Sequence, residues 1–332
     1  MQKQLVKNGT EPVSVGKVLE NIDPPEEQIS PFLDTESLFP PVQRHDLANG
    51  RFYTPVKEWW EDNYKDRPIP FFPSSTTTLH HIGKGIGWDM WLGDSLSYKH
   101  AMEYSKEASE KGTVLHEMYR ELILGNVIER ENNWFDVVNM CPVDITDSMI
   151  KHLMGFKAFW TEYGLTLDDV LACEVAMIDL TPKGIAYPGK DTNRPWNRGA
   201  YDYKYSWAGT ADLITYIVDP KTKKRELWLI DFKTGKEYSL EHHLQLISYA
   251  MLFNATSPDK VERIGCLYTK DGWRKKPTWT LREHSFDARL WYSSLRFWKL
   301  WAKNNNRLDP KFPMELPTSI NLYNEDDDEQ DK

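Results

Sequence analysis

The spacing of apolar side chains changes along the chain, and the changes mark out an α/β protein. Over 98–125, Val114, Leu115, Met118, Leu122 and Ile123 recur three and four positions apart, which predicts a helix stopped by Gly125-Asn126. A second helix is predicted over 147–163, with Ile150, Leu153, Met154 and the run 156–159 on its apolar side. From 170 the character shifts. VLACEVAMIDL (170–180), WAGTADLITYIV (207–218) and ELWLIDFKT (226–234) are short and rich in β-branched, aliphatic and aromatic residues, as strands are. DPKTKKR joins the last two as a hairpin turn. LEHHLQLISYAMLF (240–253) returns to helical spacing, VERIGCLYT (261–269) reads as a strand, and a further short strand is predicted near 278–283. A Trp-rich helix over 286–303 closes the series, with Trp291, Trp298 and Trp301 at the spacing of core packing. The core order is helix, three strands, helix, strand.

The flanks are different. Residues 1–50 are polar, with Pro pairs at 23–24 and 40–41 and no sustained period, and are expected to form a flexible N-terminal arm. Residues 51–98 read as an irregular, aromatic lead-in finishing in a helix near 88–92. One domain is expected over 51–310, with its core at about 98–270 and an insert at 181–204. An acidic, disordered tail is expected over 311–332.

Composition narrows the class. Hydrophobic residues make up 40% and charged residues 27%, enough for an ordinary globular core. No run of about 18 apolar residues occurs, so no membrane helix is expected. The N-terminus lacks an apolar signal region and has no Arg in its first twenty residues, which leads to the expectation of an intracellular, cytoplasmic protein. Cys141, Cys173 and Cys266 have no metal-ligand spacing and read as small buried hydrophobes; no iron–sulfur cluster is expected. The net charge of −9 opposes a nucleic-acid partner, but EDDDEQDK (325–332) contributes −5 of it and leaves −4 over 1–324. Such a block is usually a solvated tail.

Some positions carry chemistry. In LIDFKTG, strand alternation puts Asp231 and Lys233 on one face and Phe232 on the other, with the Phe232 carbonyl near the acid. A carboxylate suits a hard divalent cation, and a lysine beside it can orient or help deprotonate a water. A D-x-K pair alone is more often a solvated charge pair. Asp212 adds weight, because it interrupts an apolar strand one hairpin away, where a charge is costly unless paired or metal-bound. Glu174 interrupts VLACEVAMI in the same way. Two or three carboxylates beside one lysine describe a phosphodiester hydrolysis site; a set of buried salt bridges is the alternative. His116 has apolar neighbours at 114, 115 and 118 and is, alone, more often a structural histidine than a ligand. Gln245 and Tyr249, four apart on one helix face, could hydrogen-bond a phosphate or fix Lys233, or form an ordinary surface stripe.

In this order GTVLHE, CEVAM, GTADL, IDFKTG and QLISYA resemble the RecB-like branch of the PD-(D/E)XK nuclease superfamily. The lead-in PSSTTTL (73–79) further resembles phage-type single-domain exonucleases of that branch. The likeness covers roughly 70–270. It implies an αβββαβ restriction-endonuclease-like core with a mixed central sheet flanked by helices. It also implies Mg²⁺ or Mn²⁺ held by His116, Asp212, Asp231 and the Phe232 carbonyl. Lys233 would activate water, Glu174 would assist, and Gln245 and Tyr249 would complete the site. Ala211 stands where the superfamily's eponymous proline would be, the four-cysteine cluster of some relatives is missing, and no G-x-x-x-x-G-K-[ST] motif supplies a helicase.

The insert 181–204 carries Lys183, Lys190, Arg194, Arg198 and Lys204 against Asp191 and Asp202, interleaved with Tyr187, Trp196, Tyr201 and Tyr203. Cations for phosphates and flat rings for bases make a single-strand binding composition; a solvated hairpin with packed aromatics is the alternative. The expected partner is DNA, single-stranded or end-bearing duplex, and the expected activity is exonucleolytic hydrolysis in phage or cellular replication or recombination. A catalytically silent DNA-binding module is the competing reading. So is a partner-dependent subunit docking a replication or recombination protein through its acidic tail.

Overall fold

The computed structural model describes residues 40–64, 69–82, 86–131, 134–136, 141–178, 206–219, 222–235, 239–305 and 307–312. In chain order its elements are β1 (Val42–Leu47), β2 (Gly50–Pro55), α1 (Lys57–Asn63), β3 (Phe72–Pro73), α2 (Ser75–Leu79), α3 (Ile86–Asp94), α4 (Tyr98–Ile123), β4 (Trp134–Asp136), β5 (Cys141–Val143) and α5 (Asp147–Glu162). There follow β6 (Val170–Ile178), β7 (Ala208–Val218), β8 (Arg225–Lys233), α6 (Leu240–Thr256), β9 (Arg263–Lys270), β10 (Thr278–His284) and α7 (Ala288–Asn304). Several helices start where a small polar side chain takes up a free N–H of the first turn. Ser74, Ser97, Thr146, Ser239 and Asp287 do so for α2, α4, α5, α6 and α7.

The central sheet has five strands in the order β10-β9-β8-β7-β6. Strands β6, β7 and β8 form an antiparallel meander, β8 and β9 run parallel, and β10 returns antiparallel to β9. A parallel pair needs a crossover, and α6 supplies it. Alternation sends Ile214, Leu227, Leu229, Ile264 and Cys266 to the face covered by α6 and α7, where Trp291 and Trp298 are buried. Leu213, Ile217, Ile230, Phe232 and Leu267 go to the opposite face, against Val114, Met118, Phe156 and Phe159 of α4 and α5. Each such side chain contributes about 1.5–3 kcal/mol on burial. Helix α5 comes so close to β10 that a Cβ at Gly155 would lie 2.9 Å from the Thr278 carbonyl oxygen. The chain is therefore a mixed α/β protein with helices on both faces of a five-stranded mixed sheet. The predicted order of core elements is found.

A second sheet, β1-β2-β3, packs Tyr53 and Phe72, together with Trp60 of α1, onto Ile178 and Ala208 at the ends of β6 and β7. Its first strand starts at Val42, inside the stretch expected to be an arm, because the turn between Leu47 and Gly50 folds it onto β2. The rest of the expected arm, 1–39, lies outside the described residues, as do the insert 181–204 and the acidic run 325–332. No helix among the described residues is long and apolar enough to cross a membrane.

Candidate metal centre

The site forms where the β7–β8 ladder stops. Their last paired residues on this side are Leu213 and Ile230. Beyond that point the Asp212 carboxylate, not a carbonyl, accepts the Phe232 N–H at 2.6 Å. The Phe232 ring is buried on the α4–α5 face. Its carbonyl accepts a hydrogen bond from His116 Nε2 at 3.1 Å. With a proton on Nε2 for that bond, Nδ1 is the nitrogen that faces the acids. Nδ1 lies 3.5 Å from Asp212 Oδ2 and 3.6 Å from Glu174 Oε1.

Glu174 reaches this place through its backbone. It has φ +50° within a strand, a conformation that costs a non-glycine residue about 1–3 kcal/mol and tends to occur at functional sites. Cys173 packs with the α4–α5 core and Val175 with the α6–α7 core. Strict alternation would send Glu174 away from Cys173; the left-handed residue lets both face α4. The donor atoms of His116, Glu174 and Asp212 then lie within 4.8 Å of one another. Glu174 Oε1 is buried and accepts no hydrogen bond. Two carboxylates, one with an idle buried oxygen, and one imidazole fit a divalent cation such as Mg²⁺ or Mn²⁺.

On β8, on the face opposite the Phe232 ring, Asp231 is 1% exposed and lies 2.5 Å from Lys233 Nζ. Burial pushes the Asp231 carboxyl up, against the pull of Lys233. Burial pulls Lys233 down, but Asp231 and Asp212 outweigh it and hold the ammonium above its ordinary range. Burial likewise lowers His116, while Asp212 and Glu174 override it and raise the imidazole well above its usual value. Lys233 donates to Gln245 Oε1 at 3.4 Å, and Gln245 Nε2 donates to Tyr249 Oη at 2.7 Å. Gln245 and Tyr249 are thus a buried pair behind Lys233 and not a surface stripe.

Three of the expected ligands or assistants converge: His116, Asp212 and Glu174. Asp231 and the Phe232 carbonyl stand beside that group, one ion-paired to Lys233 and the other bonded to His116. Of the expected DNA contacts, Lys190, Arg194, Trp196, Arg198 and Lys204 all lie outside the described residues. Supporting residues emerge that no motif singled out. A Cβ at Gly209 would be 2.3 Å from Tyr249 Cε1, so that glycine makes room for the ring. Ser75 Oγ donates to the Ala208 carbonyl and accepts from Ser248 Oγ, and Tyr53 Oη meets Thr210 Oγ1 at 2.9 Å. The small residues of GTA and the serine preceding Tyr249 were the available signal, legible only once their strand and helix are known to touch.

Compared with known proteins, the chain matches no family model and no curated protein. Among solved structures, the crystal structure of SSO0001 aligns with a TM-score of 0.24 and 16% identity, over 49% of this chain and 60% of that one. The chain thus spans less than two thirds of that protein, and the likeness is too slight to carry an argument about fold or chemistry.

Proposed function

We propose that this chain is a metal-dependent DNA nuclease of the RecB-like PD-(D/E)XK kind, an exonuclease that hydrolyses phosphodiester bonds. The observation that carries the reading is the gathering, at the end of the β7–β8 ladder, of a His116–Glu174–Asp212 donor group and the adjoining Asp231–Lys233 pair. The antiparallel meander followed by a helical crossover to a parallel strand supports the same reading.

Mg²⁺ or Mn²⁺ bound by His116, Glu174 and Asp212, with Asp231 and the Phe232 carbonyl at hand, would polarise the scissile phosphate and lower the pKa of a water. The chain's own residues account for the rest. Lys233 remains an ammonium, so it orients a water or phosphate oxygen and offsets developing negative charge instead of accepting a proton. Gln245 and Tyr249 hold that ammonium in place. The His116 Nε2–H bond to the Phe232 carbonyl fixes which ring nitrogen faces the acids.

The test is cleavage of end-labelled linear and of circular single- and double-stranded DNA with Mg²⁺, Mn²⁺ or EDTA, using wild type, Glu174→Gln and Asp231→Ala. Metal-dependent loss of linear DNA that both variants lack is expected. Cleaved circles would move the activity to the endonucleases. DNA bound but intact under every condition would refute the enzymatic reading in favour of a binding module or a partner-dependent subunit.

A further inference from the structure

We infer that the turn between β9 and β10, together with the adjoining side of α5, is a second nucleic-acid surface that holds the phosphate backbone beside the cleavage site. This rests on the nuclease reading for its choice of polyanion. Lys270, Arg274, Lys275 and Lys276 lie within seven residues that contain a single acid, Asp271, a local charge of +3 in a chain of −9. Arg274, Lys275 and Lys276 are exposed, and no carboxylate among the described residues pairs with them. A solvated run of like charge is unremarkable alone; three further observations make this one a surface.

First, the acid is engaged by α4 and α5, although its side chain remains 47% exposed. Asp271 accepts from Ser148, whose hydroxyl also takes a hydrogen bond from Lys111, and lies 3.8 Å from both Lys111 Nζ and His152 Nε2. Its charge is spent on anchoring the turn, leaving Arg274, Lys275 and Lys276 uncompensated.

Second, the turn is held. Trp273 Nε1 donates to the Lys151 carbonyl at 3.4 Å, and Lys151 Nζ lies 5.8 Å from the Trp273 ring centre. Just before the turn, Thr269 Oγ1 bonds both Tyr119 Oη and His152 Nδ1 at 2.8 Å. Pro277 then borders an open hollow against α5, lined by Met154, Lys157, Ala158, Thr161 and Glu162, where the Lys157 and Glu162 charges offset each other. Preorganised cations lose less on binding than cations on a floppy loop.

Third, the turn is at the correct end of the sheet. β9 runs parallel to β8 with Lys233 opposite Tyr268, so Lys270 and the turn continue past the strand end that carries Asp231 and Lys233. Lys111, which meets the turn, precedes His116 by five residues on α4, a rise of about 7.5 Å. A strand of DNA in the site would need to extend only one or two nucleotides to reach the turn.

The experiment measures binding without cleavage. Fluorescein-labelled 20-nucleotide single strands and duplexes are titrated with full-length protein in EDTA, from 50 to 200 mM salt, by fluorescence polarisation. Arg274→Gln/Lys275→Gln/Lys276→Gln is compared with Lys57→Gln/Lys224→Gln/Lys303→Gln, the same charge change on α1, at the far end of β8 and on α7. For the turn variant, affinity should fall at least about tenfold at low salt, and the slope of log K against log[salt] should flatten by about 2–3. The control should match wild type. Equal unfolding midpoints verify that both variants are folded, and Lys275→Glu/Lys276→Glu should deepen the loss. Wild-type affinity and slope in the turn variant would overturn the proposal, as would undiminished DNA binding with lost binding of polyglutamate, which would give the surface to an acidic polypeptide. Neither result touches the nuclease reading, which stands or falls on metal-dependent cleavage.

Discussion

Replacing Gly209 with alanine tests how the site is held together. The added Cβ would lie 2.3 and 2.6 Å from Tyr249 Cε1 and Cδ1 and 3.1 Å from Ser75 Oγ. Real contacts of this type need about 3.5 Å or more, so something has to move by roughly an ångström. The Tyr249 ring is buried and its hydroxyl is fixed by Gln245, while Ser75 is fixed by Ala208 and Ser248. Overpacking of this kind costs about 1–3 kcal/mol, and loss of the Gln245–Tyr249 hydrogen bond would add about 1 kcal/mol. At roughly 2–4 °C per kcal/mol for a domain of this size, the thermal midpoint should drop by about 4–16 °C. Because Gln245 also receives Lys233, cleavage should weaken along with stability. Combining Gly209→Ala with Tyr249→Leu, which removes the clashing ring carbons, should be less destabilising than the sum of the single changes by about 1–2 kcal/mol in urea denaturation. A Gly209→Ala protein as stable as wild type, or strictly additive single changes, would refute the close approach of β7 and α6 on which the site depends.

Protonation gives a second prediction. Despite the downward pull of burial, Asp212 and Glu174 make the folded protein hold the His116 proton more tightly than the unfolded chain does. Metal-free stability should thus be fullest below about pH 6.5 and decline as pH rises through the raised folded value, a decline that His116→Gln abolishes in thermal melts. Mn²⁺ must displace that proton, so calorimetry in buffers of different ionisation enthalpy should register proton release and affinity rising with pH. At Glu174, the glycine variant should exceed the alanine variant in stability by about 1 kcal/mol, since only alanine retains the strain of φ +50°, while both lose metal affinity; equal midpoints would contradict this. Asp231→Asn strands the Lys233 ammonium and should destabilise by about 3–5 kcal/mol. Adding Lys233→Met should recover part of that in urea titrations.

Much of this protein is determined locally and was legible in the sequence. Helical spacing over 98–125 gave α4, spacing over 147–163 and 240–253 gave α5 and α6, and the short apolar runs gave β6 to β9. These features depend on neighbours within a turn or a pleat, so periodicity suffices. Alternation in LIDFKTG correctly put Phe232 into the core opposite Asp231 and Lys233. The small sheet was missed altogether: 51–98 reads as irregular, and β1 is polar on both sides and is recruited only by pairing with β2.

Which polar groups meet was decided by tertiary structure. Nothing in CEVAM announces that Glu174 adopts a left-handed backbone, the one departure from alternation that brings its carboxylate to His116. Nothing in GTADL tells that Asp212 ends the ladder by capturing the Phe232 N–H, or that Gly209 is empty space for a ring forty residues later. Asp231 and Asp212 look alike in sequence, yet one is neutralised by Lys233 while the other joins a donor group. Side-chain charge is a property of single residues; its partner is a property of packing between strands and helices that are far apart in the chain.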